Sequence, residues 1–136
     1  MKTAEVIYKG NLRTESKHIR SGNTMITDAP VDNHGKGEAF SPTDLVASAL
    51  ASCMITIMGI VAENHGINIE GSKADVTKIM SAEPRRIGEI IVEFQIPYNL
   101  TDKEKKILEK AAYTCPVHYS LHPEVKKTIT FRYNDK

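Results

Sequence analysis

The chain has 136 residues, enough for one ordinary domain with a core of its own, so neither disulfides nor metal ions are required to hold it together. Lys and Arg (18) almost balance Asp and Glu (17), and the formal charge of +1 excludes the broad basic field that would recruit nucleic acid or an anionic membrane. Two cysteines are too few for a disulfide framework, which leaves a redox, metal or catalytic pair, or two unrelated buried thiols.

The amino terminus, "MKTAEVIYKGNLRTE", has no long apolar stretch and no small-residue cleavage site, so the expected compartment is the cytoplasm. The segment "TAEVIYKGNLRTES" reads as two extended stretches about a Gly-Asn turn, and "SGNTMITDAP" adds a further turn and short strand. Together they predict an antiparallel meander. "APVDNHGKGEAF" gathers loop residues and ends at "SPTD", where Ser41 can cap a helix, Pro42 fits its first position and Asp44 completes a capping-box pattern.

A long helix is expected from there to near Gly66. Leu45 to Ala62 carries no charge and is just long enough to span a bilayer, but Ala, Ser, Thr and Gly dilute it. The expectation is a helix buried at the centre of a soluble domain, with no membrane partner. "GSKADVTKIMS" and "EIIVEFQI" both alternate with period two, and "EPRRIG" between them is a hairpin turn. Thr101 and Glu104 form a second capping box, opening an amphipathic helix through "DKEKKILEKAAY". A short helix restarts at Cys115-Pro116 and stops near Pro123, and "VKKTITFRY" closes the chain as a strand. Strands with helices between them, joined by hairpins, argue for an α+β fold in a single domain, 1–136, without repeat, low-complexity tract or linker.

Cys115 occupies a helix N-cap position, where backbone N–H groups and the helix dipole should stabilise a thiolate and depress its pKa. Cys53 lies in the middle of the apolar helix, where burial alone would make it inert. Cys115, His118 and His122 fall at i, i+3 and i+7 on one prospective helical face, so a zinc site with Cys53 as fourth ligand is a further reading. No Gly-rich phosphate loop or nucleophile elbow is present.

"SPTDLVASALASCM" followed by "CPVHYSL" resembles the osmotically inducible protein and organic hydroperoxide resistance family, the OsmC/Ohr-like proteins, over most of the chain. The resemblance implies an OsmC-like α+β fold in an intertwined homodimer, with the central helices back to back and each active site at the subunit interface. It also implies that Cys53 attacks an organic hydroperoxide and becomes a sulfenic acid. Cys115 then closes a disulfide with it, and an external dithiol restores both thiols without metal or organic cofactor.

Peroxidase members carry a glutamate ten residues before the first cysteine, where it orients an arginine that activates the thiolate. Thr43 stands at that position here, Asp44 is the nearest acid, and Arg20 is the candidate arginine, with Arg13 and Lys36 as the other cations considered. One residue along a helix turns a side chain by about 100°, so Asp44 is a cap as well as a catalytic candidate. Two functions stay in view. One is a thiol peroxidase acting on organic hydroperoxides through Cys53 and Cys115, with Met54, Ile57 and Met58 lining an apolar pocket. The other is a non-enzymatic relative that binds a small apolar ligand or senses oxidation.

Overall fold

The computed structural model describes residues 1–134. It divides the chain into two compact units, residues 1–46 and Ala47 onward. The first unit holds β1 (Ala4–Gly10), β2 (Arg13–His18) and β3 (Thr24–Asp28), an antiparallel meander in the order β1-β2-β3. The Gly-Asn turn forms where the sequence places it. Asn11 and Leu12 both adopt positive φ (54° and 64°), the handedness that matches the twist of a hairpin.

β3 feeds a loop that folds back on itself. Gly35 N–H donates to Pro30 O at 2.9 Å, and Gly37 N–H donates to Ala29 O at 3.3 Å. A Cβ at Gly35 would fall 1.7 Å from Ala29 O, so only glycine permits this approach. The antiparallel register sets Arg13 opposite Asp28. There the guanidinium grips the buried carboxylate with two bonds, Nε to Oδ1 at 2.7 Å and Nη2 to Oδ2 at 2.8 Å. Glu38 N–H donates to the same Oδ2 at 3.2 Å, tying the loop to the sheet. The Arg13 bond holds the Asp28 carboxyl below its ordinary pKa, against the opposing effect of burial.

Helix α1 (Pro42–Asn64) opens with the anticipated capping box: Asp44 N–H donates to Ser41 Oγ at 3.1 Å, and Ser41 N–H donates to Asp44 Oδ2 at 3.0 Å. Gly66, at φ 65°, ends it, and Ile67 N–H returns to Ala62 O at 2.8 Å. By length and composition α1 could cross a membrane, with a mean hydropathy of 2.2 over its 18-residue window. In this protein one face of it is core, because Leu50, Met54 and Met58 have no exposed surface. A second stripe, Val46, Ala49, Ser52, Thr56 and Ile60, is exposed, so the helix is buried on one side within the chain rather than all round.

The second unit adds β4 (Lys73–Ser81), β5 (Arg86–Ile96), α2 (Asp102–Ala112), α3 (Pro116–Ser120) and β6 (Lys126–Tyr133). β4 and β5 form the expected antiparallel hairpin. The last strand differs from the antiparallel rule of the others: β6 lies parallel to β5, which is therefore central in the order β4-β5-β6. A parallel return requires a crossover, and α2 and α3 supply it. Along β5, Ile90, Val92, Phe94 and Ile96 are buried while Glu93 and Gln95 are exposed, as period two requires. Phe94 sits opposite Phe131 in the register, and their rings stack at 5.2 Å. Thr101 caps α2 in the predicted reciprocal box with Glu104.

Two outcomes are expected. Phe94→Ala should cost about 3 to 5 kcal/mol in chemical denaturation, as for other fully buried aromatics. Asp28→Asn should lower the melting temperature at neutral pH. A carboxyl depressed in the fold stabilises above its unfolded pKa of about 3.9 and loses that contribution as pH falls toward the folded value. The gap between variant and parent should therefore narrow when melting is followed from pH 7 down to pH 3.

Candidate active site

Both thiols belong to the second unit. Residues 50, 54 and 58 of α1 point into the core, and Cys53, one step of about 100° from Met54, falls on the flank of that face. It is half-buried, against the sequence expectation of a fully enclosed position. Ala49 and Ile57, one turn either side, share its face, and Ile57 is also half-buried. Met54 and Met58 do not line an apolar pocket as anticipated, because both side chains are wholly in the core.

Cys115 is the enclosed sulfur, with 0 % of its surface exposed. It caps α3 as the sequence predicts: its backbone is extended, Pro116 follows at the first helical position, and His118 N–H donates to Sγ at 3.1 Å. The consequence expected from that cap is overturned. Burial outweighs the His118 and Val117 N–H groups, and a hydrogen bond and charge repulsion from Cys53 add to it, so the Cys115 pKa is raised. A five-residue helix supplies too little dipole to reverse a dry environment.

The effect of Cys53 on Cys115 couples two side chains that the chain separates by sixty-one intervening residues. Neither cysteine is in a disulfide. The His118 ring packs edge-on against Tyr113 at 5.7 Å and Tyr119 at 6.1 Å, and burial, helped by Lys127, pushes its pKa down. Its neutral form is therefore favoured. The single helical face proposed for Cys115, His118 and His122 does not form, since α3 ends at Ser120 and His122 Nδ1 accepts the Glu124 N–H at 3.0 Å. Among the described residues no three His, Cys, Asp or Glu side chains converge as a metal site.

The remaining candidates lie on the first unit. Asp44 serves as the second half of the α1 capping box, and the neighbouring Thr43 Oγ1 is 3.2 Å from Ser41 Oγ. Arg20 is exposed in the turn between β2 and β3. Lys36 is exposed in the loop and acts on Asp28 by charge. The arginine that the fold anchors is Arg13, through Asp28 and, at 3.6 Å, Glu38. Asp28 and Glu38 were not singled out in the sequence. Their signal is the strand register, since a hairpin connection centred on Arg20 and Ser21 sets Arg13 across from Asp28. His118 was noted only as a possible metal ligand, and its role as the residue whose N–H caps Cys115 follows from the Cys-Pro helix start.

A model of OsmC-like proteins matches residues 35–130. The chain is 51% identical to a protein of known crystal structure from Psychrobacter arcticus 273-4, designated for an osmotic-stress-induced and detoxification response. The two superpose with a TM-score of 0.94 over 97% of this chain and 96% of that one. An OsmC-like protein from Mycoplasma pneumoniae is similar in fold, at 18% identity and a TM-score of 0.82, covering 99% of each chain. So is an organic hydroperoxide resistance protein OsmC from Legionella pneumophila, at 18% identity and 0.72, covering 97% of this chain and 98% of that one. No curated protein matches. The OsmC-like α+β fold that the resemblance of "SPTDLVASALASCM" and "CPVHYSL" implied is the one observed, here with two three-stranded sheets, and the chain belongs to the OsmC-like family.

Proposed function

We propose that this protein is a thiol peroxidase that reduces organic hydroperoxides to alcohols. The observation that carries the reading is the pair of free thiols in one unit, a half-buried Cys53 and a fully buried Cys115 whose ionisation the Cys53 neighbour opposes. The sulfur open to an incoming peroxide is Cys53, and the one kept from it is Cys115. Cys53 as thiolate attacks the peroxide, the O–O bond breaks, and sulfenic acid and alcohol form. Cys115 condenses with that sulfenic acid, releasing water and closing a disulfide, and an external dithiol returns both thiols by exchange. The apolar neighbours Ala49 and Ile57 favour an organic hydroperoxide over hydrogen peroxide. Kinship with structures named for organic hydroperoxide resistance supports the same class.

A second copy of the chain completes the reading. The meander leaves Val6 and Tyr8 exposed at 62% and 64% and Met25 at 50%, and α1 leaves its own uncharged stripe open. Apolar surface of this extent on one small chain suits a partner. A different reading is favoured by Thr43, which stands where peroxidase relatives carry a glutamate: the protein would bind an apolar ligand or register oxidation without turnover.

Consumption of cumene hydroperoxide in the presence of excess dithiothreitol separates the two. Turnover should be multiple and should be faster than with hydrogen peroxide. Cys53→Ser should abolish it, and a parent protein that stops after one equivalent would favour the sensor. Light scattering after size exclusion should give twice the chain mass, and a monomer would remove the homodimer from the reading.

A further inference from the structure

The second unit holds a cavity that the thiol chemistry leaves unused. Around the axis of α1, Ile55 and Gly59 fall on one side of the core face formed by Leu50, Met54 and Met58, and Cys53 and Ile57 fall on the other. The cavity lies between the Ile55 and Gly59 flank and the segment 67–72 that leads into β4, and its volume is about 350 Å³. That is the size of a small-molecule site.

Its walls divide by chemistry. Ile55, Ala62, Ile67 and Ile69 supply a hydrocarbon floor that is continuous with the core. A Cβ at Gly59 would meet no atom within 4 Å, so the helix backbone borders open space there. Glu63 from α1 and Glu70 from the segment bring carboxylates to the cavity from two elements. The segment is held by bonds that do not use those carboxylates. Ile67 N–H donates to Ala62 O at 2.8 Å, Glu70 N–H to Asn68 Oδ1 at 2.9 Å, Ser72 Oγ to Ile69 O at 2.6 Å and Tyr98 Oη to Glu70 O at 2.6 Å.

Among the described residues neither Glu63 nor Glu70 has an ion pair. The basic side chains nearest along the chain are engaged elsewhere, with Lys73 Nζ 3.6 Å from Asp75 Oδ2 and His65 Nδ1 2.9 Å from Val61 O. Two carboxylates without a cation beside a hydrocarbon floor suit a cation that carries hydrocarbon of its own. We propose that this cavity binds a small organic ammonium ion, a primary amine on a short alkyl chain. Its three N–H donors are enough to serve both carboxylates, and its chain covers the isoleucines. A metal ion fits less well, because no three His, Cys, Asp or Glu side chains gather as a metal site among the described residues and the hydrocarbon floor would go unused.

The test is titration calorimetry of the reduced protein with hexylammonium, with methylammonium, which keeps the charge alone, and with hexanol, which keeps the hydrocarbon alone. Hexylammonium should bind about fivefold more tightly than hexanol and more tightly still than methylammonium. Glu63→Gln and Glu70→Gln should each weaken hexylammonium about threefold, as for other exposed ion pairs, and the double substitution about tenfold. Gly59→Leu sends a side chain into the open space and should abolish binding. A parent that prefers hexanol, or that binds no hexylammonium, would overturn the proposal.

Both glutamates are exposed, so their substitution leaves the packing intact, and the comparison of the three ligands needs no variant at all. Amide resonances followed during the hexylammonium titration should shift along 59–72. Affinity unchanged by the double substitution, or shifts confined to other parts of the chain, would again overturn the proposal. Neither measurement involves peroxide or the thiols. Loss of hydroperoxide turnover would therefore count against the peroxidase reading alone, and indifference to the ammonium group against the cavity alone.

Discussion

The exclusion of water from Cys115 governs the protonation of the buried thiol in the second unit. A thiol capping a helix in solvent would lose its proton more readily than an ordinary cysteine, because N–H groups and the helix dipole favour the anion. In this chain the cap is present, yet burial reverses its effect and leaves the sulfur protonated. A protonated, dry sulfur beside a half-open one makes an ordered pair rather than two equivalent thiols. The core that enforces this is the one α1 contributes through Leu50, Met54 and Met58, together with Phe94, Leu108 and Ala112 from the sheet and α2. Packing and reactivity are thus linked through one side chain.

The first unit uses its charges differently. Arg13 and Asp28 form a bidentate pair with the carboxylate buried, and the Glu38 N–H adds a third bond to it. Such a pair costs desolvation, and removing one partner leaves an uncompensated buried charge, so its value is in fixing where the loop from Ala29 to Phe40 leaves the sheet. Its geometry is Arg-specific: a lysine would offer one point of charge where two parallel N–H donors are used.

Much of this architecture was legible in the sequence, and the reasons are local. Capping boxes at Ser41 and Thr101, proline after Cys115, Gly66 at the end of α1, and the period-two runs of β4 and β5 all encode their structure within a few residues. What escaped depends on contacts distant along the chain. The parallel seat of β6 against β5 is set by the crossover, and no residue in "VKKTITFRY" announces its direction. The half-open position of Cys53 was not expected, because an apolar run says that a helix is covered but not which flank is. Cys53 misses the core by one helical step, and Cys115, the cap of α3, lies within it. In the second unit the motifs identified Cys53 and Cys115, whereas in the first unit the Arg13 and Asp28 pair required the strand register.

The most direct test of the central claim, that the two thiols form one chemical unit, is peptide mapping of the reduced protein after one equivalent of cumene hydroperoxide under non-reducing conditions. The account predicts an intramolecular disulfide joining the peptide of Cys53 to that of Cys115, with a mass lower by two hydrogens and reversed by dithiothreitol. Recovery of both thiols free, or a disulfide only between different chains, would contradict it.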